Sequence, residues 1–198
     1  MAVIVEHDKR KQEILERSLE VFCAQGYDDV TFQKIADACG ITRTTLYIYF
    51  KNKNEIFLWS IKHLTTKLER KLVNIINSQN LPADEALRKI LYEVTDSCNK
   101  YRQLFVVLLP YLISLKKQGI DSNERVRRRV LKIKHFMSMT IIEGQKSGVF
   151  KKDISVKDVN DLFYSQIETA IFRIAVLNQS DISDVKNLID LSIRMIKA

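Results

Sequence analysis

Groups that can donate hydrogen bonds to an anion crowd one short stretch of this chain, residues 40–53. The stretch contains no acidic residue, and it carries three cations and two phenols: Arg43, Lys51, Lys53, Tyr47 and Tyr49. Guanidinium and ammonium groups bind phosphate through charge, and a phenol adds an O–H donor. A unit that only held the fold together would have no need of two phenols beside three cations. The stretch therefore predicts a surface that binds nucleic-acid phosphates.

The residues around this stretch have the spacing of a helix-turn-helix. Ala36 is small enough to let a second helix cross close by, Gly40 suits a sharp turn with positive φ, and Ile41 can plug that turn. Thr42 can cap the following helix with its hydroxyl, and Leu46 returns that helix to the core. In this motif the second helix enters the major groove of DNA.

Helical periodicity recurs along the whole chain, and no convincing alternating strand pattern is present. The fold class we predict is all-α with about nine helices: a three-helix DNA-binding head over 1–53 and a helical ligand-binding and dimerisation domain over 54–198. Pro110 is expected to kink or split its helix. The predicted helices span about 8–25, 32–39, 43–49, 54–77, 83–99, 102–117, 123–147, 155–178 and 183–198.

The net charge of +8 is weak support for a nucleic-acid partner, because its distribution is uneven. Residues 1–53 hold eight basic and eight acidic residues, so the predicted head is neutral overall. Its positive charge is local to residues 40–53, and the excess lies in residues 54–198.

Other features exclude several classes of protein. The longest apolar run is too short to span a bilayer, and the N-terminus lacks the order of a signal peptide, so we expect a cytoplasmic protein without membrane contact. Three isolated cysteines and three scattered histidines give no disulfide framework and no metal-ligand spacing. No nucleotide-binding or hydrolase motif is present, so we predict neither a cofactor nor enzymatic activity.

The N-terminal 57 residues resemble the TetR family of transcriptional regulators. The resemblance rests on an ordered series of residues: Ile14, Leu15, Leu19, Phe22, Gly26, Tyr27, Thr31, Ile35, Ala36, Gly40, Ile41, Thr42, Thr45, Leu46, Tyr47, Tyr49, Phe50 and Lys53. Residues 58–198 match this family only in the number and length of helices. The resemblance implies a homodimeric, ligand-responsive regulator, most simply a repressor that leaves a palindromic operator when a small hydrophobic or amphipathic inducer binds.

The resemblance also implies which residues contact DNA. Thr31 and Thr42 would offer hydroxyl and backbone N–H groups to phosphates at helix N-termini. Base edges would be read by three outward residues, Arg43, Thr44 and Thr45, with arginine suited to guanine. Further phosphate contacts are expected from Tyr47, Tyr49 and Lys53, and weaker flanking contacts from Gln33 and Lys34.

Two positions depart from the family pattern. Thr44 replaces a usual glycine that lets the backbone approach DNA closely, so either the helix sits further out or Thr44 itself reads a base. Asn54 replaces a residue that is commonly acidic.

The family resemblance implies an inducer site among the middle helices. Its candidate lining residues are aromatic, sulfur-containing or polar: Trp59, His63, Tyr92, Cys98, Tyr101, Phe105, Tyr111, Phe136, Met139 and Tyr164. The crowded cations from Arg125 to Lys134 suit either an anionic ligand or, as we favour, a solvated helix face, because consecutive arginines point in different directions. The last two helices are apolar enough to predict a homodimer through them.

Three functions compete on this sequence. The first is the DNA-binding regulator, whose partners are a double-stranded operator, a second copy of the chain and a small inducer. The second is a helical interaction protein that uses the same head to bind a protein. An enzyme is the third and has the least support. A redox switch at Cys23 and Cys39 is a further alternative, against plain burial of both thiols.

Overall fold

The computed structural model describes residues 2–78, 81–120 and 123–198, with side chains from residue 6 onward and, after the second gap, from residue 127. These residues form nine helices and, apart from one antiparallel bridge between Phe150 and Lys197, no extended pairing. The helices are α1 (Ala2–Gln25), α2 (Phe32–Ala38), α3 (Arg43–Tyr49), α4 (Lys53–Ile76), α5 (Ala83–Lys100), α6 (Arg102–Lys117), α7 (Asn123–Lys146), α8 (Val156–Ala175) and α9 (Ser183–Ile196). The predicted all-α class is confirmed.

The helices of the head begin and end at the residues that the sequence marks for this. Thr31 and Thr42 cap α2 and α3 by accepting the backbone N–H of Lys34 and Thr45. Gly40 takes a φ of +64° in the turn between them, and the Ile41 N–H donates to the Ala36 carbonyl at 3.0 Å. The predicted turn is therefore present.

Two helical boundaries differ from the prediction by three residues or more. The first helix begins at Ala2 rather than near residue 8, because neither glycine nor proline interrupts the preceding residues. Helix α8 ends at Ala175, three residues before the predicted end.

Pro110 lies inside α6, which runs unbroken from Arg102 to Lys117, so the expected split does not occur. A proline removes one backbone hydrogen bond to the carbonyl four residues earlier. Here that carbonyl belongs to Val106, and both Val106 and Pro110 are exposed. Solvent can therefore hydrate the carbonyl that the proline leaves unpaired.

Two cores hold the helices together. One joins α5, α7, α8 and α9 around residues such as Leu87, Ile141 and Phe163. The other is the core of the head, and it continues past residue 53 into α4 through Phe57 and into α6 through Tyr111. The head therefore packs directly against part of the predicted second domain.

Candidate nucleic-acid interface and cavity

Helix α3 presents a polar outer face with one apolar side chain. Arg43 and Thr44 are exposed at its start, and Tyr47 is 50% exposed one turn later. Leu46 faces the other way and is fully buried. The buried leucine fixes the rotation of the helix, so the outward direction of the other residues follows from their spacing.

The two threonines that cap α2 and α3 each accept a backbone N–H. The Thr31 Oγ accepts the Lys34 N–H at 3.2 Å, and the Thr42 Oγ accepts the Thr45 N–H at 3.1 Å. Both side chains are exposed, and the Thr31 hydroxyl can still donate to a phosphate oxygen. The Thr42 oxygen also lies 2.8 Å from the Thr45 hydroxyl oxygen, and either of the two can be the donor. This pair therefore keeps one further hydroxyl proton for a phosphate.

Each of the two phenols packs against another ring. Tyr47 packs against Phe32 in a tilted arrangement with ring centroids 4.5 Å apart, and Tyr49 stacks on His7 at 4.6 Å. A guanidinium nitrogen of Arg43 donates to the Tyr47 oxygen at 3.2 Å. Since that oxygen is the acceptor, the Tyr47 proton remains available for an anion.

Lys53 is engaged differently from the prediction. Its ammonium donates to three backbone carbonyls of the α1–α2 turn, those of Tyr27, Asp28 and Val30, at 2.9, 3.0 and 3.0 Å. It also lies 4.7 Å from the centre of the Tyr27 ring. All three donors of an ammonium are then used. Lys53 therefore ties the turn to the start of α4 and presents no free donor to a phosphate.

The two weaker candidates also have partners within the head. The Lys34 ammonium donates to the Gln25 side chain and to the Asp29 carbonyl, and the Gln33 amide donates to Asp37. All these groups are exposed, so both side chains remain at the surface.

Ile48 belongs to the outer face of α3 and was missed by the sequence reasoning. Its side chain is 69% exposed, the largest exposed fraction among the large hydrophobic residues described. Its position in the sequence could have predicted this, because it follows Tyr47 and is four residues from Thr44, which places it on the outer face of α3. An apolar side chain there can contact the methyl group of thymine.

A cavity of about 670 Å³ lies between α4, α5, α6, α7 and α8. Its wall is mostly aliphatic, with residues such as Leu58, Leu104 and Ile167. Cavities that hold small molecules typically have volumes of about 300–1,000 Å³ and walls of this kind. A second, smaller cavity of about 380 Å³ lies between α1, α4 and α6.

Five of the ten predicted lining residues lie on the wall of the larger cavity: Cys98, Tyr101, Phe105, Tyr111 and Tyr164. The other five do not. These five residues make other contacts. Helical spacing alone does not specify which neighbour a side chain meets, so it could not predict those contacts.

Each of these five has another environment. Trp59 is exposed, with the ammonium groups of Lys11 and Lys62 over its ring, and His63 lies 3.0 Å from a carboxylate oxygen of Glu16 on α1. The Tyr92 hydroxyl donates to Asp190 at 2.7 Å. Phe136 packs on the core of the second domain, and Met139 is exposed.

Tyr111 connects the cavity to the head. It lines the cavity wall, and its ring packs 4.5 Å from that of Tyr27 and 5.0 Å from that of Phe57, both in the head core. Its hydroxyl donates to the Asn54 side-chain oxygen at 2.6 Å, at the start of α4. The departure at Asn54 therefore supplies a neutral acceptor for this phenol.

The basic cluster on α7 is divided among several environments. Lys132 pairs with Glu69 at 2.9 Å, Lys134 pairs with Asp161 at 2.5 Å, and Arg129 lines the cavity and donates to Thr65. Arg127 and Arg128 are exposed, and the Arg125 side chain lies outside the described residues. Within the described part, the cluster is a charged helix face from which one arginine reaches the cavity.

The cysteines are protonated at neutral pH. Burial raises the pKa of the Cys98 thiol to about 12 and, with the nearby Glu20 carboxylate, that of Cys23 to about 11. Burial also raises the pKa of Cys39. Thiols of this kind react slowly, which favours plain burial over a redox switch. Among the described residues, no group of His, Cys, Asp and Glu side chains could hold a metal ion, and no helix is long and apolar enough to cross a membrane.

Comparison with known proteins places this geometry in context. Residues 14–58 match the family described as bacterial regulatory proteins, tetR family. A probable acrEF/envCD operon repressor from Escherichia coli (strain K12) is 32% identical over 104 residues, which cover 42% of this chain and 47% of that protein. For this and two curated Bacillus subtilis relatives, the chain spans half of the relative's length or less.

Solved structures share the fold over nearly the whole chain. A TetR transcription regulator from Haloarcula marismortui has a TM-score of 0.84 at 18% identity, and the match covers 96% of this chain and 100% of that one. The transcriptional regulator FadR from Bacillus subtilis, solved in complex with stearoyl-CoA, has a TM-score of 0.65 at 22% identity and covers 92% and 95%.

The head has the helix-turn-helix arrangement whose second helix enters the major groove in DNA-binding proteins. Residues 14–58 match the tetR family of bacterial regulatory proteins. The chain shares its fold with a solved TetR transcription regulator.

Proposed function

We propose that this protein is a homodimeric repressor that leaves a palindromic operator when a hydrophobic or amphipathic molecule fills the larger cavity. In this proposal residues 1–53 bind DNA and residues 54–198 bind the effector and the second subunit. The observation that carries it is the position of Tyr111, which lines the cavity and packs on the head core through Tyr27 and Phe57. A molecule in the cavity therefore acts on a side chain that the head also contacts.

The outer face of α3 reads the bases in this proposal. Arg43 pairs with guanine, and Thr44 and Ile48 contact neighbouring bases, with Ile48 suited to a thymine methyl group. The four hydroxyls bind the flanking phosphates: Thr31, Thr42, Tyr47 and Tyr49. The support is that Thr31, Thr42 and Tyr47 are exposed and Tyr49 is half-buried, and that the Thr31 and Tyr47 hydroxyls act as acceptors in the bonds they make inside the head.

The second subunit covers apolar faces of α8 and α9. Phe172 in the last turn of α8 and Val176 just past its end are 53% and 56% exposed, and Met195 is 64% exposed on α9. Leu188 and Leu191 extend the same stripe of α9. Contiguous apolar surface of this kind marks an interaction site. A two-fold dimer presents two recognition helices to two half-sites, which explains why we expect a palindrome.

The larger cavity is the effector site of this proposal. Its aliphatic wall and volume of about 670 Å³ suit a long apolar chain. A structural relative, the Bacillus subtilis FadR, was solved with stearoyl-CoA. A ligand that binds the state with a displaced head more tightly would release DNA by shifting the population.

The DNA part of the proposal is tested with a duplex selected from a random library by the wild-type protein. Tyr47→Phe combined with Arg43→Ala removes one phosphate donor and one base contact. We expect an affinity loss of about 100-fold, because each contact contributes about 1–3 kcal/mol. Arg70→Ala, an exposed arginine on α4, is the control. Unchanged affinity in the double variant would rule out α3 as the recognition helix.

The effector part is tested by stearoyl-CoA and two phenol variants. Tyr111→Phe keeps the ring packing and removes the bond to Asn54, whereas Tyr164→Phe alters a cavity phenol that packs on the core of the second domain. We expect stearoyl-CoA to release the duplex from the wild type and from Tyr164→Phe, and to release it less from Tyr111→Phe. Equal release from both variants would contradict the role of Tyr111.

The alternative, a head that binds a protein, is distinguished by salt. Each phosphate contact releases counterions, so the logarithm of DNA affinity falls with the logarithm of salt concentration by about 0.9 per contact. Duplex binding that does not change with salt would favour the protein-binding alternative.

A further inference from the structure

The boundary between the two cavities carries two ammonium groups. Lys67 on α4 and Lys100 at the end of α5 line both the larger and the smaller cavity, beside Tyr101. Among the described lining residues of the larger cavity, four are cationic and none is acidic. The rest of the wall is mostly apolar. This arrangement suits a molecule with an apolar chain and an anionic end.

The other two cations have partners on the cavity rim. Lys71 pairs with Glu93 at 2.6 Å, and Arg129 donates to Thr65 at 3.1 Å. Lys100 has no acidic partner among the described residues, and its ammonium lies 5.4 Å from the centre of the Tyr101 ring. Lys100 can therefore take an anion without giving up an ion pair.

Lys67 does have a partner, and that partner belongs to the DNA-binding head. Its ammonium pairs with a carboxylate oxygen of Glu16 on α1, and the same oxygen lies 3.0 Å from the His63 ring nitrogen. Hydrogen bonds from Lys67 and His63 hold the pKa of Glu16 below its usual value, so this carboxylate is charged at neutral pH. Glu16 lines the smaller cavity and is absent from the wall of the larger one, whereas Lys67 lines both.

We propose that Lys67 and Lys100 form the binding site for the anionic end of an amphipathic effector, and that Glu16 competes with this anion for Lys67. The proposal rests on the larger cavity being the effector site. A bound anion and the Glu16 carboxylate would be like charges a few ångströms apart at Lys67. Because they repel each other, contact of both with Lys67 at the same time is disfavoured. Binding of the anion then weakens the contact of α1 with α4. Coupling between two binding events is reciprocal, so contacts that hold Glu16 against Lys67 also weaken binding of the anion to Lys67.

The first test compares dodecanoate with 1-dodecanol, two probes with the same chain, by titration calorimetry on the dimeric protein without DNA. We expect dodecanoate to bind at least about tenfold more tightly, the factor that one charge-assisted hydrogen bond supplies. Lys67→Met should remove most of this preference. Lys62→Met, whose ammonium lies over the exposed Trp59 ring, should retain it.

The second test uses Glu16→Gln, which removes the competing charge and keeps the size of the side chain. We expect this variant to bind dodecanoate about fivefold more tightly than the wild type and to bind dodecanol unchanged. Glu13→Gln is the control, because Glu13 is on the same helix, pairs with Arg10 and lines neither cavity. Weaker or unchanged dodecanoate binding in Glu16→Gln would overturn the competition.

Two further measurements show which kind of anion binds, and they distinguish failure of the anion site from failure of the proposed effector cavity. Dodecanoyl-CoA and dodecyl phosphate replace dodecanoate to show whether a thioester with phosphates or a simple anion binds more tightly. Equal affinity for dodecanol and all three anions overturns the anion site. If dodecanol nevertheless releases the operator, the larger cavity is still the effector site. Absence of binding by every probe overturns both the anion site and the effector cavity.

Discussion

One lysine holds the turn between α1 and α2, so its replacement should lower the stability of the protein. Lys53→Met removes an ammonium that donates to the carbonyls of Tyr27, Asp28 and Val30. A hydrogen bond to a charged group contributes about 1.5–3 kcal/mol, but water replaces much of that at half-exposed carbonyls. We therefore expect the free energy of unfolding to fall by about 2 kcal/mol in total. For a chain of this size the melting temperature should fall by about 4–8 °C.

The assay combines urea denaturation at one protein concentration with operator affinity measured over a range of salt. Lys51→Met is the matched control for stability, since Lys51 is an exposed cation two residues earlier. In Lys53→Met the salt slope should stay at the wild-type value, because no phosphate contact is lost. Unchanged stability together with a salt slope reduced by about one would refute the reasoning and restore Lys53 as a phosphate contact.

Three further predictions concern the second domain. Alanine has a better helix propensity than glycine, but Gly144→Ala should still lower the melting temperature by several degrees. The added Cβ would lie 2.1 Å from the buried Phe150 ring, and this overlap costs about 1–3 kcal/mol. The bond from Lys197 holds the pKa of Asp84 below its ordinary 3.8, so its stabilisation is present above about pH 4 and is lost as pH falls through the folded pKa. Urea denaturation should show the wild type losing its advantage over Lys197→Met as the pH falls below about 4, and a constant difference would contradict this. Cys98, with a pKa of about 12, should react with dithionitrobenzoate at pH 8 only after urea is added, and rapid reaction of the native thiol would contradict its burial.

The head was predictable because its local signals are strong. Thr31 and Thr42 are cap residues, Gly40 suits a positive φ, and Leu46 has the spacing of a buried residue, and each has the predicted place. These features depend on backbone chemistry within a few residues, which a sequence carries directly.

The partners of long side chains were not predictable in the same way. Lys53 bonds to carbonyls 23 to 26 residues away, and His63 meets Glu16 from another helix. Such contacts depend on how helices cross, and helical spacing gives only the face of the helix. For the same reason Trp59 shares a helix with cavity residues such as Leu58 and still lies outside the cavity.

The tie at Lys53 has a mechanical consequence for α4. Because the ammonium fixes the α1–α2 turn to the first residue of that helix, the head and the start of α4 move as one piece. With its 24 residues, α4 is a rigid arm of about 36 Å. A tilt of about 5° about its far end displaces the head by about 3 Å, close to the rise of one base pair along DNA. In the proposed complex with DNA, so small an angular change is therefore enough to put a recognition helix out of register with its half-site.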